Sequence, residues 1–292
     1  MEPRSFFDSL EDFFDEGDFD VVYVASPNSL HYEQVRLAIE NDKFVIVEKP
    51  AFVNPNEFEG IESLLAAHPK ARVVEAARHI HTGLFHAAEE QLKQMPVIQG
   101  ANITVMKYSS RYDKVVAGDK PYPNIFTAEF AGGALMDLGV YAVYGAVTLF
   151  GVPDSVVLFP TMVASGVDGM DTAILKYDKF AVTLNFGNDG PTRIWFLKCT
   201  VLRIRWSLTQ SLTRPKVTYY DSEKQAHPLE AKFYENSMVD ELNDFADLFN
   251  DPENPEQQAK YRRWFDLARK VNTVMYDLRR SAELTFPADD NR

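Results

Sequence analysis

Val45-Ile46-Val47-Glu48-Lys49-Pro50 is the stretch from which the fold of this 292-residue chain is read. Three branched apolar residues make a strand, and Glu-Lys-Pro ends it. The proline fixes its own backbone and biases Lys49 away from helix. A charged amine is thereby delivered at the carboxyl end of a strand. Ligands of open α/β sheets bind at that end, where a lysine can hydrogen-bond a substrate oxygen and stabilise developing negative charge. The plainer reading of Lys49 is a solvated lysine at a strand end.

The flanking sequence alternates in kind. Asp20 to Ser26 is a short apolar strand that stops at the turn pair Pro27-Asn28. From His31 to Asn41, Tyr32, Val35, Ala38 and Ile39 recur at helical spacing. Phe44 to Val47 is the next strand. Asn54 and Pro55 suit the cap and first turn of another helix, whose apolar positions are Phe58, Ile61, Leu64 and Leu65. Ala71 to Ala76 is a third strand. Strands alternating with helices through short connections predict a parallel sheet with right-handed crossovers, half of a doubly wound nucleotide-binding domain. The other half would begin with a strand, a Gly-x-Gly-x-x-Gly turn and a helix. No such motif precedes Asp20. Residues 1–18 read as a loop and one acidic helix, Ser9 to Glu16, so the chain is expected to be truncated at its N-terminus and to leave Val21 to Ala25 as an apolar sheet edge.

The second half changes character. Gly100 to Ser109, Ser155 to Val163, Asp171 to Tyr177, Phe180 to Phe186 and Val217 to Tyr220 are strand candidates without long helices between them. Asp178-Lys179 suggests a tight hairpin. Helices are expected at Met238 to Phe249, with a stripe of Leu242, Phe245 and Phe249, and at Tyr261 to Leu278, with Trp264, Leu267, Val271 and Val274. The fold class is therefore α/β: a partial Rossmann-type parallel sheet followed by an α+β domain with a large, mainly antiparallel sheet. Residues 1–80 form the incomplete dinucleotide-binding domain and residues 81–292 the substrate-binding and dimerisation domain, with the boundary between Arg78 and Val97.

A net charge of -13 argues against nucleic acid and anionic membranes as partners. Nearly half of the residues are hydrophobic, enough for a sizeable core. A single cysteine, Cys199, excludes an internal disulfide framework and suits a reducing compartment. No apolar run approaches membrane-spanning length, and the expected location is cytoplasmic.

Five segments in order carry a resemblance to the Gfo/Idh/MocA oxidoreductases. Ala25-Ser26-Pro27-Asn28-Ser29-Leu30-His31 resembles their nucleotide-contacting turn, and Glu48-Lys49-Pro50 their signature tripeptide. Glu75-Ala76-Ala77-Arg78 resembles the segment after the last nucleotide-domain strand. Gly132 to Tyr141 is similar to their active-site helix, and Ser281-Ala282 with Phe286-Pro287 to their C-terminal return. Tyrosine at position 141 resembles the dihydrodiol and xylose dehydrogenase branch. The stretch Arg193 to Trp206 departs from the family, which usually has a glycine-punctuated hairpin there; this stretch has no glycine.

The resemblance implies an NAD(P)-dependent oxidoreductase that transfers hydride between nicotinamide and a sugar, polyol or cyclic alcohol. It implies cofactor contacts from Ser26, Pro27, Asn28, His31, Glu48, Lys49 and Pro50. NAD or NADP is the expected cofactor, bound weakly or not at all by these 292 residues because the glycine-rich turn is absent. Tyr141 would be the acid/base, since a phenol needs a nearby cation to serve at neutral pH, and Lys49 would supply that cation. Asp137 lies one helical turn before Tyr141 on the same face and would orient the lysine or substrate hydroxyls; a structural pair is the alternative. Arg78 would anchor substrate or close a salt bridge. Tyr144 reads as core. His79, His81 and His86 match no zinc motif, and no metal is assigned. Assembly as a homodimer or higher homo-oligomer is expected, with the C-terminal helix returning to the first domain. The alternative is a catalytically silent, truncated homologue acting as a dimeric sugar-binding or structural protein.

Overall fold

A computed structural model describes residues 5–95, 97–188, 194–201, 204–210, 215–220, 223, 225–232 and 234–290, with only the backbone path for most of the strands between 194 and 220. A short helix α1 (Leu10–Glu16), capped by the Ser9 hydroxyl, leads into a three-stranded sheet. Its strands are β1 (Val21–Val24), β2 (Phe44–Glu48) and β3 (Arg72–Ala76), in the order β1-β2-β3. All pairings are parallel, with Val21 opposite Phe44 and Phe44 opposite Arg72. The crossovers are α2 (His31–Glu40) and α3 (Pro55–Ala67). The Asn54 side chain accepts from the Glu57 N–H and Pro55 fills the first turn, as the spacing predicts. Along the open edge of β1, Val22 and Val24 are buried and Val21 and Tyr23 exposed.

The chain continues through α4 (Gly83–Lys93) into β4 (Ile98–Met106). Strand was expected as far as Ser109. The chain instead turns into a helix, α5 (Ser110–Ala117), which buries Tyr112 and Val115 three residues apart and stops at Gly118 with φ 77°. A π turn (Leu135–Gly139) runs directly into α6 (Val140–Phe150). The remaining strands are β5 (Ser155–Met162), β6 (Asp168–Lys176), β7 (Ala181–Gly187), β8 (Ile194–Val201), β9 (Ile204–Gln210), β10 (Pro215–Tyr220) and β11 (Ala226–Leu229). Together with β4 they form a sheet of order β11-β10-β9-β8-β4-β7-β6-β5, antiparallel except for the β4–β7 pair. β6 and β7 form the hairpin expected at Asp178-Lys179. The glycine-free stretch holds two antiparallel strands, β8 and β9; Arg193 and residues 202–203 lie outside the described residues.

Two helices close the fold, α7 (Val239–Asn250) and α8 (Pro255–Ser281). On α7 the expected stripe is rotated by one position. Leu242 is 42% exposed, while Glu241 is buried in line with Phe245 and Leu248. A carboxyl thus occupies the face that periodicity assigns to an apolar residue. α8 lies against the parallel sheet and the segment after β2: Asn272 donates to the Phe52 carbonyl and Arg279 to the Val53 carbonyl.

Candidate active site

The carboxyl ends of β1 to β3 face the π turn that opens α6. Lys49 bridges the two. Its Nζ donates to the Asp137 carbonyl at 2.8 Å and to the Asp137 carboxylate at 3.0 Å, and it lies 5.0 Å from the centre of the Tyr141 ring. The Arg78 guanidinium lies 5.9 Å from the same ring. π turns recur at functional sites because they break the regular i→i−4 ladder, and here the Asp137 carbonyl receives the lysine. Burial opposes the charge on Lys49. The Asp137 carboxylate, Tyr141 and Glu48 outweigh it, so the lysine pKa is held above its ordinary value. An ammonium has three donors; two go to Asp137, which leaves one for a substrate oxygen.

The turn after β1 is tied to this centre. His31 is wholly buried, with Nε2 2.9 Å from the Ser26 carbonyl and Nδ1 3.1 Å from the Pro50 carbonyl. Burial lowers its pKa, and a neutral imidazole has one N–H, so one carbonyl at a time receives it. The ring clamps the turn after β1 to the end of Glu48-Lys49-Pro50. Ser26 donates its hydroxyl to Gln34. Asn28 Nδ2 donates to the carbonyl of Ala131 at 2.8 Å, just ahead of the π turn. Glu48 accepts from the Tyr23 hydroxyl at 2.6 Å. Ser26, Pro27, Asn28 and Glu48 are half-buried at this rim and remain reachable. Backbone and short polar groups at the carboxyl ends of parallel strands suit the nicotinamide–ribose half of a dinucleotide. No two glycines of the chain stand in Gly-x-Gly spacing, so these residues hold no pyrophosphate turn of that type.

Arg78 donates to the Ser237 hydroxyl at 3.0 Å and lies 5.9 Å from the centre of the Tyr141 ring. His79 packs edge-on to Tyr141 at 5.1 Å; burial, then Arg78 and His81, push its pKa down to about 3, so it is neutral. His81 pairs with Asp244 at 2.7 Å and His86 with Glu89 at 3.8 Å. Tyr144 is buried, as expected of core, and burial with the neighbouring Glu75 carboxyl raises its pKa well above the ordinary value.

Two carboxyls escaped the sequence reading. Burial drives Glu75 up to about 7 and Glu241 up to about 8, the latter helped by Glu48. Glu75 was detectable as one acid among the valines of β3. Glu241 was hidden by its neighbour Leu242, which satisfies the same helical period.

The family model described as "Oxidoreductase family, NAD-binding Rossmann fold" (GFO_IDH_MocA) matches residues 3–77. The scyllo-inositol 2-dehydrogenase (NADP(+)) IolU of Bacillus subtilis is 30% identical over 97% of this chain and 84% of its own length. A trans-1,2-dihydrobenzene-1,2-diol dehydrogenase of Xenopus laevis is 25% identical over 76% of this chain and 67% of its own. Among solved structures, the 3-ketoreductase KijD10 of Actinomadura kijaniata in complex with NADP and TDP-benzene shares the fold, with a TM-score of 0.78 at 18% identity over 94% of this chain and 82% of that one. Matched along nearly its whole length, the chain belongs to the Gfo/Idh/MocA oxidoreductases, in the branch of the dihydrodiol and xylose dehydrogenases.

Proposed function

We propose that this protein uses NAD or NADP to move hydride to and from a ring or chain carbon of a sugar, polyol or cyclic alcohol, with Lys49, Tyr141 and Asp137 at the reacting oxygen. The observation that carries this is the bridge from Lys49 to Asp137 and the Tyr141 ring across the gap between sheet and helix. The names of its relatives, an NADP-linked inositol dehydrogenase and a dihydrodiol dehydrogenase, support the same class of substrate. Residues 1–80 supply part of the dinucleotide-binding domain and residues 81–292 the substrate-binding part.

When bound, the nicotinamide supplies the hydride acceptor or donor. Ser26, Pro27, Asn28 and Glu48 would hold it, and His31 keeps that rim in place through the Ser26 and Pro50 carbonyls. Lys49 directs its remaining N–H at the substrate oxygen and stabilises charge developing there. Tyr141 as the phenolate takes the alcohol proton during oxidation, and as the phenol returns it during reduction, with Lys49 and Arg78 beside its ring offsetting the charge of the phenolate. Asp137 holds the ammonium in place.

The test is nicotinamide absorbance with NAD and NADP against inositols, aldoses and cyclic diols. It is run on the chain together with whatever its gene encodes upstream in frame. Turnover of one substrate class is the expected result. Absence of turnover alongside retained polyol binding would favour the catalytically silent reading. Tyr141→Phe is expected to cut kcat by about a hundredfold, within the range for loss of a proton-transfer group, while the cofactor Kd measured by fluorescence titration stays within about twofold. An equal loss of cofactor affinity would place Tyr141 on the cofactor side.

Assembly belongs to the same proposal, as does a cytoplasmic location. Phe159, Met170 and Ile174 are exposed on one face of the eight-stranded sheet, with Phe159 opposite Thr172 and Ile174 opposite Val157. Exposed apolar side chains grouped on an open sheet suit a protein partner, and a second copy of this chain is the reading taken here. Sedimentation at micromolar concentration should give a dimer or larger species; a clean monomer would refute it.

A further inference from the structure

The helix that carries Asp137 and Tyr141 is held at its start by a buried pair of acids on β6. The Leu135 N–H donates to Asp168 Oδ2 at 2.6 Å. Asp168 and Asp171 are 2% and 3% exposed. Their carboxyls lie beside each other, and Asp171 Oδ2 is buried with no donor among the described residues. Two carboxylates have no donor between them, so this contact exists only if the pair holds a proton. The approach is built into the backbone. Gly133 has φ 120°, and a Cβ there would stand 2.0 Å from Asp168 Oδ1, so the carboxylate occupies space that any other residue at 133 would fill. Gly132 is similarly closed, with a Cβ position 2.3 Å from the Ile125 carbonyl.

We propose that Asp168 and Asp171 form a one-proton clamp that positions the active-site helix: Asp171 donates to the Asp168 carboxylate, and Asp168 caps the helix at Leu135. These are positioning residues, since neither touches the reacting centre. The kinetic consequence rests on the reading of Asp137 and Tyr141 given above; the clamp itself does not. A carboxylate at a helix N-terminus is favourable, which makes Asp168 the ionised partner. Burial raises the Asp168 carboxyl above its ordinary value, and Asp171, the Leu135 N–H and the Arg279 charge of α8 oppose that rise. From β5 the Thr161 N–H reaches Asp171 at 3.4 Å. From α5, Tyr112 packs at Gly169. Burial, then Asp168, drives Asp171 up to about 10, so the proton is retained at neutral pH.

The sign follows. The folded pKa of Asp171 lies above its unfolded value, so the stability it contributes is present at acid pH and is lost progressively as pH rises toward about 10. Asp171→Asn keeps a donor for Asp168 but has no proton to lose. The variant-to-wild-type ratio of folding constants, from denaturant melts at pH 5, 6, 7 and 8, is therefore expected to rise with pH, by up to about tenfold per unit. A flat ratio would overturn the shared proton. Asp168→Ala should speed amide exchange of the peptide spanning 133–141 by about tenfold or more relative to peptides of β1 to β3, while Asp171→Asn leaves that peptide protected. Equal protection in Asp168→Ala would overturn the positioning role. If Asp168→Ala does not fold, Asp168→Val, of similar size and without an acceptor for the Leu135 N–H, takes its place in the exchange experiment, with the same two outcomes. In turnover, Asp168→Ala should lower kcat with cofactor KM unmoved. Loss of that kinetic effect alone, with the exchange result intact, would count against the roles of Asp137 and Tyr141 and not against the clamp.

Discussion

Lys49→Ala is expected to lower kcat/KM by at least about a hundredfold, the usual loss when one preorganised donor at a developing oxyanion is removed. The geometry makes the effect larger than that of a rim lysine. The ammonium is the link between β2 and the π turn, fixed by two bonds to Asp137 and set over Tyr141. Its loss removes the donor proposed for the reacting oxygen and leaves the Asp137 carboxylate, 19% exposed, without its cation. Lys49→Arg should rescue little, because a planar fork cannot reproduce a compact ammonium that donates to a carbonyl, a carboxylate and substrate at once. Steady-state rates with a saturating substrate check this, beside a melting curve showing that the variant is folded. Near-normal turnover in folded Lys49→Ala would take Lys49 out of the mechanism.

That lysine was legible from six residues, because strand, acid, lysine and proline each carry a local backbone preference. The parallel sheet was legible for the same reason: the short apolar runs of β1 to β3 and the period of three to four in α2 and α3 are both local. What was hidden is what depends on long-range packing. Asn28 meets Ala131 across more than a hundred residues of sequence, and nothing in either segment announces the other. The shift of the α7 face from Leu242 to Glu241 follows from what the helix packs against, since both positions satisfy the helical period. The helix α5 was missed because its apolar content is small and it follows a strand without proline or glycine. Asp168 and Asp171 read as ordinary polar residues at a strand start until the fold places Asp168 against Gly133.

Arg279→Met should lower the melting temperature by roughly 10 °C. The guanidinium is 1% exposed and grips Asp289 with two bonds, Nη1 to Oδ2 at 2.8 Å and Nη2 to Oδ1 at 3.1 Å. It also donates to the carbonyls of Val53 and Leu284. Removing one partner of a buried ion pair costs about 3–5 kcal/mol, because the other charge stays buried and uncompensated, and a domain of this size shifts by about 2–4 °C per kcal/mol. The partner shows the same dependence. Burial opposes ionisation of Asp289, and Arg279 with the Phe286 N–H overcomes it, so its pKa is depressed. That contribution is present above the unfolded carboxylate pKa and is lost as pH falls through the depressed one; the gap between wild type and Arg279→Met should therefore narrow in acid. A melting point within about 2 °C of wild type at neutral pH would show that the pair contributes little. The consequence reaches the site through the backbone: Val53 lies four residues beyond Lys49, and the segment between them is also held by Asn272 at the Phe52 carbonyl. The end of α8 thus fixes the path by which Glu48-Lys49-Pro50 leaves the sheet. Loosening it should raise amide exchange in residues 49–54 before it disturbs the eight-stranded sheet.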